Sequence, residues 1–392
     1  MMTEPLSWEC WRKVYLNKKN KKRASLERWG LRNLHSVETL DHIVSEVKKT
    51  YLNNNPYIKV SANSVWVDGT PQAKFTVSKY ENVKNSSTSY GNTNQVSLKA
   101  RKDEVLNCEL ADLLFIFNEF NSQNGFKKVR AVLLQGKCSE KNNLLPDGPS
   151  TEKERKLLES VNREELLTLY PGTKASGNEI GTYKLGGYQP GLADCAKYLM
   201  MPKYEAWNYK SPENTGPYVI GWPENSSSKS LGVTKNYLDA VIDGMLKFQT
   251  MGRFQTMGRE VKFKNGDIDR TCEWSKMIDD LLTSYHGVTM KGYDRQRRFY
   301  KSSGYIPSYI QNLGLMIDDV SLLSLLQIDY DDFVWYYRTR YDYFLKKYGI
   351  QVAKLIQHKF EQYLNLLISE QGPIISTIII NIDYNEGEFF RG

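Results

Sequence analysis

Between residues 108 and 137 two strand-like runs, Leu113 to Phe117 and Val129 to Leu134, flank a polar stretch, Asn118 to Lys128, that contains Asn and Gly. Short runs rich in aliphatic and aromatic residues and bounded by turn formers read as strands, and this turn folds them back as a hairpin. Asp112 opens the first run, and Gln135 and Lys137 close the second. Hairpin pairing therefore predicts that all three stand at one end of a sheet.

The same reading places other elements. Leu40, Ile43, Val44, Val47 and Tyr51 recur at helical spacing, from Ser36-Val37-Glu38 to the Asn53–Pro56 breaker. Strands are expected at 57–60, 65–67 and 75–77, with Asp68-Gly69 predicting a hairpin between the last two. Residues 82–99, rich in Asn, Ser and Thr, predict an exposed loop. Thr151-Glu152-Lys153-Glu154 fits a capping box ahead of a helix to about Leu169. Short apolar runs at 196–201 and 218–222 predict strands, and 231–248 and 274–285 amphipathic helices. The duplicated FQTMGR at 248–259 is too short for a repeat unit and reads as a local insertion. From about Gly292 the pattern turns mainly helical, up to Ile368, with a closing strand at 374–382.

These elements predict an α/β fold, a mixed β-sheet flanked by helices, organised as an arm (1–35), an α/β domain (36–291) and a mainly helical C-terminal region (292–392). Composition narrows the chemistry. The formal net charge of +8 favours an anionic partner. Five dispersed cysteines without CxxC spacing argue against a disulfide framework and a structural zinc site, and four histidines form no HExxH cluster. There is no P-loop, no GxGxxG after a strand and no GxSxG. No run reaches the ~20 apolar residues of a membrane span, and the opening residues lack an apolar signal core, so a cytoplasmic location is expected.

Hydrolysis of a phosphodiester requires an acceleration worth on the order of 20 kcal/mol, which metal ions commonly help to supply. Mg²⁺ binds through one or two carboxylates plus waters and phosphate oxygens. Asp112 and the Gly136 carbonyl can be ligands, Lys137 can stabilise developing charge, and Gln135 can position water. A second carboxylate is wanted: Glu109 stands three residues before Asp112, and Glu38 or Glu46 can come from the preceding helix.

A helix acid, an Asp at a strand start and a strand ending Gln135-Gly136-Lys137 resemble the Gln-x-Lys variant of the PD-(D/E)xK, or restriction-endonuclease-like, nuclease superfamily. Glu46 is the better candidate for the helix acid. The resemblance implies a restriction-endonuclease-like core, cleavage of nucleic acid (DNA favoured) with Mg²⁺ or Mn²⁺, and a role in bacterial antiviral defence, with other defence proteins as partners. It covers roughly residues 36–140, extends to 290 at most, and says nothing of the C-terminal third.

Other readings stand beside this one. Asp112 and Lys137 can be a surface ion pair on a non-catalytic adaptor that binds nucleic acid or protein. Arg12, Lys18, Lys19, Lys21 and Lys22, interleaved with Trp8, Trp11 and Tyr15, read either as a phosphate-contacting arm or as a solvated turn between tryptophan-packed helices. The Arg- and Tyr-rich stretch from Gly292 reads either as a base-stacking surface or as a helical core with snorkelling arginines.

Overall fold

The computed structural model describes residues 27, 30–31, 34–35, 37–52, 58–66, 70–83, 98–121, 125, 127–171, 177–187, 191–203, 218–225, 228–246, 257–284, 306–307, 350 and 373–384. In chain order these form α1 (Val37–Leu52), β1 (Lys59–Trp66), β2 (Gln72–Val83), β3 (Leu98–Glu109), β4 (Leu113–Phe120), β5 (Lys127–Ser139) and α2 (Pro149–Ser160). There follow β6 (Leu167–Tyr170), β7 (Gly181–Tyr183), β8 (Ala196–Pro202), β9 (Val219–Pro223), β10 (Leu231–Asn236) and α3 (Tyr237–Asp239), which runs into a π-helical turn, Ala240–Leu246. The remainder is β11 (Arg259–Val261), β12 (Phe263–Lys264), β13 (Asp267–Ile268), α4 (Glu273–Thr283), β14 (Ile306–Pro307) and β15 (Thr377–Asp383).

A mixed nine-stranded sheet runs in the order β10-β9-β8-β5-β4-β15-β1-β14, with β11 also on β5. β4 and β5 lie near its middle and are buried along most of their length, which is why both read as continuous apolar runs rather than alternating ones. Leu114, Ile116, Ala131 and Leu133 face a layer made of α2, α4 and a second sheet, β3-β2-β6-β7. Leu113, Phe115, Val132 and Leu134 face α1, the helical residues Leu31 and Leu34, and the π-helical turn. The molecule is thus α/β: a mixed central sheet with helices packed on it.

The predicted β4–β5 hairpin forms, with Leu113 opposite Leu134 and Phe120 opposite Lys127. Strands form where expected in β8, β9 and β15, as do the helices α1 and α4. β15 enters the centre of the sheet, parallel to β4 and antiparallel to β1. The Asp68-Gly69 hairpin does not form. β1 pairs with β15 and β14, whereas β2 leaves for the smaller sheet and pairs with β3 over twelve positions. That long ladder outcompetes a local turn, and the buried Pro71, whose carbonyl accepts from Leu110 N–H at 2.9 Å, marks the crossing.

Of the stretch expected to be a loop at 82–99, Asn82 and Val83 end β2 and Leu98 and Lys99 begin β3, while 84–97 falls outside the described residues. The helix expected to reach Leu169 stops at Ser160, because Val161 bridges to Val77 and Leu167–Tyr170 joins β2. The helix expected from Leu231 begins only after Asn236, whose side chain accepts the Leu238 N–H, and Leu231–Asn236 is strand. The expected helix to Ile368 falls outside the described residues apart from the helical Ile350. Most of the FQTMGR duplication also falls outside them.

Candidate active site

Asp112 immediately precedes β4, and its N–H donates at 3.0 Å to the carbonyl of Leu134, the residue already opposite Leu113, which holds Asp112 against β5 just ahead of the ladder. Gln135 Nε2 donates to Asp112 Oδ2 at 2.6 Å, and Gly136 N–H donates to the same oxygen at 2.7 Å. Backbone groups alternate sides along β5: Leu133 N–H goes to Cys195 O beside β8, while Leu134 O is taken by Asp112. Gly136 N–H and C=O therefore both point toward Asp112, past the end of the β4 ladder. A Cβ at residue 136 would stand 2.8 Å from Met201 Cε and 3.3 Å from both Asp112 Oδ2 and Leu31 Cδ2. The absent side chain lets the carboxylate and the N-terminal helical segment close on the strand. Gly136→Ala is accordingly expected to lower stability by about 1–3 kcal/mol, measured by urea unfolding.

Lys137, one step on and facing α2, is almost buried. Its ammonium lies 2.6 Å from Glu154 Oε2 and 4.0 Å from Glu27 Oε2. Glu154 comes from α2. That helix begins at Pro149, two residues before the expected capping box, with Gly148 at its N-cap. Glu154 is thereby free of a capping role; its Oε1 accepts from Ser150 Oγ at 2.7 Å, and its other oxygen reaches Lys137. Glu27 comes from the helical residues seated by Gly30 against Met201, where a Cβ would stand 2.5 Å from the sulfur.

Three carboxyl groups thus share one ammonium, and the charges do not balance. Burial pushes the Asp112 carboxyl well above the usual carboxylate range, Glu27 adds to the shift, and Lys137 opposes it. Glu27 is raised too, again by burial first, against the pull of Lys137. Burial alone would depress Lys137, but Glu27, Glu154 and Asp112 outweigh it and hold the ammonium above the ordinary lysine value. A half-buried site with surplus negative charge takes up either a proton or a cation.

The donors suit a hard cation. Asp112 and Glu27 offer carboxylate oxygens, the Gly136 carbonyl is directed to the same side of β5 as the N–H that bonds Asp112, and the buried Gln135 Oε1 has no hydrogen-bond partner. Among the described residues no group of three or more His, Cys, Asp or Glu side chains is arranged to hold a metal. The protein's share of the ligands would then be the one or two carboxylates that Mg²⁺ takes when waters and phosphate oxygens complete its shell.

Of the residues expected at the site, Asp112, Gln135, Gly136 and Lys137 come together. Glu109, the last residue of β3, is close enough to raise Asp112. Glu46 is elsewhere: it lies on α1, which packs over β1, and pairs with Lys49 at 2.5 Å. Glu27 takes the place expected of Glu46 as the acid from a preceding helix. Arg12, Lys18, Lys19, Lys21 and Lys22 lie outside the described residues. Sequence reasoning missed Glu27 and Glu154. The first had no signal beyond a helix-compatible acid upstream, and the second was hidden inside an apparent capping box.

The chain matches no protein-family model, no curated protein and no solved structure.

Proposed function

We propose that the chain is a metal-dependent nuclease that hydrolyses phosphodiester bonds at the Asp112–Gln135–Lys137 cluster. The reading rests on one observation above all: an aspartate, the Gln-x-Lys strand end and a helix glutamate meet in a half-buried site with more negative than positive charge. A bound Mg²⁺ or Mn²⁺ would polarise the scissile phosphate and lower the pKa of attacking water. The chain's own groups have separate tasks. Asp112 and Glu27 would hold the cation, with Asp112 oriented by Gln135 and the Gly136 N–H. Lys137, kept protonated by its carboxylates, offers a fixed positive charge to the oxyanion that develops at phosphorus.

DNA is the favoured substrate, the restriction-endonuclease-like core is the favoured finer description of the fold, and a bacterial antiviral effector working with partner proteins is the favoured setting. No described helix is long and apolar enough to cross a membrane.

The test is degradation of circular and linear DNA by the purified chain with Mg²⁺ or Mn²⁺ and with EDTA. Absence of cleavage under every metal condition, with active partner proteins supplied, would favour the adaptor reading. The pH profile is a sharper check. Because burial and Glu27 raise the metal-free Asp112 carboxyl, kcat/KM at sub-saturating Mg²⁺ is expected to fall on acidification, as protons compete with the cation, with a midpoint above the ~4 of an ordinary aspartate. Glu27→Gln removes one repulsive charge and is expected to move that midpoint down, even where it also lowers the rate.

A further inference from the structure

A cavity lies at the other end of the hairpin. Asn118 is six residues along β4 from Asp112, about 20 Å at 3.3–3.4 Å per residue, and it lines a cavity of about 510 Å³. The floor is the face of β4, β5 and β15 bearing Ile116, Val129 and Ile379; the roof is the β12–β13 hairpin and α4, with Phe263 and Leu282. That volume is typical of small-molecule sites, and the apolar walls are joined by charged groups, Asp267, Arg270 and Asp279.

What singles the cavity out is the polar pair in its floor. Asn118 and Asn381 are direct partners in the β4–β15 ladder, and Asn118 Nδ2 donates to Asn381 Oδ1 at 2.8 Å. The bond leaves Asn118 Oδ1 as an acceptor, buried and without a hydrogen-bond partner, with the Asn381 amide nitrogen beside it as a donor. An unsatisfied buried acceptor is destabilising, and the adjoining floor positions, Ile116 and Ile379, are aliphatic. Two asparagines there make sense if a ligand completes them. The exposed Lys127 holds its ammonium 4.1 Å from the centroid of the Phe263 ring, setting a cation beside an aromatic wall.

We propose that this cavity binds a nucleobase. Its walls admit a flat heteroaromatic ring beside Phe263. An amino group on the base donates to Asn118 Oδ1, and the adjacent ring nitrogen accepts from Asn381 Nδ2, the donor–acceptor pattern that asparagine reads on adenine. Lys127 receives the attached phosphate. The base comes either from a free nucleotide or from single-stranded nucleic acid. The site shares no residue with the Asp112 cluster, so it stands or falls separately from the nuclease reading.

The experiment is calorimetric titration of the full chain in EDTA with AMP, adenosine, ribose 5-phosphate and a hexamer of deoxyadenylate. AMP or the hexamer is expected to bind with a Kd in the ~10–100 μM range, and ribose 5-phosphate not to bind. AMP binding alone identifies a free nucleotide, and hexamer binding alone identifies a strand. The double variant Asn118→Val/Asn381→Val, which installs strand-compatible residues, should weaken binding at least ~10-fold. Lys127→Ala, at an exposed position, should weaken AMP by ~3–10-fold and leave adenosine unchanged. Asp112→Asn should bind as the wild type does. The proposal is overturned if no base-bearing probe binds, or if binding survives both the double variant and Lys127→Ala.

Discussion

Asp112→Asn is expected to abolish cleavage and, at neutral pH, to make the protein more stable. The loss of activity follows from removing the oriented carboxylate that would hold the cation; a loss of about 4 kcal/mol of transition-state stabilisation is ~10³-fold in rate. The gain in stability follows from the direction of the Asp112 shift. Its folded-state pKa is raised by burial and by Glu27, so the folded protein binds that proton more tightly than the unfolded chain. The associated stability is fully present below the unfolded value, near 4, and is lost as pH rises through the folded one.

Wild type therefore loses that stability as pH rises above the unfolded value, whereas asparagine never ionises and keeps it. Each pKa unit is worth about 1.4 kcal/mol, so a rise in Tm of a few degrees is expected. Asparagine also retains an oxygen for the Gly136 N–H. Two controls bracket the claim. The difference between the proteins should shrink as pH falls toward 4. Added Mg²⁺ should raise the Tm of wild type but not of the variant, by mass action on a site only wild type has. A variant less stable than wild type at pH 8 would mean that the carboxylate is there to hold the fold.

How far the site could be read from the chain depended on which interactions are local. Asp112, Gln135 and Lys137 were legible because β4 and β5 are neighbours in sequence, are buried on both faces and pair from Phe120 opposite Lys127 to Leu113 opposite Leu134. Glu27 was not, because its position comes from non-local packing of Gly30 against Met201 and of Leu31 against Gly136. β3 was missed because Leu98–Glu109 has charged and polar residues on its exposed side and a pattern that competes with a loop reading. β15 was recognised as a strand, but a lone run of isoleucines cannot announce that it will enter the sheet between β4 and β1. Asp68-Gly69 failed for the converse reason: a good turn signal carries less weight than twelve cross-strand pairs formed elsewhere.

Lys137 separates structural from chemical roles most sharply. In an exposed ion pair, Lys137→Ala would hardly affect folding. Here the lysine side chain is 7% exposed and that of Glu154 3%, so truncating the lysine strands a buried carboxylate, and a loss of about 3–5 kcal/mol is expected. A fall in activity of that variant alone therefore says little. Adding Glu154→Gln removes the stranded charge, and the double variant should recover most of the stability. The cycle of two singles and the double, read by urea unfolding, gives the coupling directly. Cleavage is the second readout. If Lys137 supplies charge to the reacting phosphate, the refolded double variant stays inactive, while Glu154→Gln alone, whose lysine keeps Glu27 and Asp112 as neighbours, stays active. A double variant that regains both stability and cleavage would reduce Lys137 to a buried strut, and with it the case for this cluster as the catalytic centre.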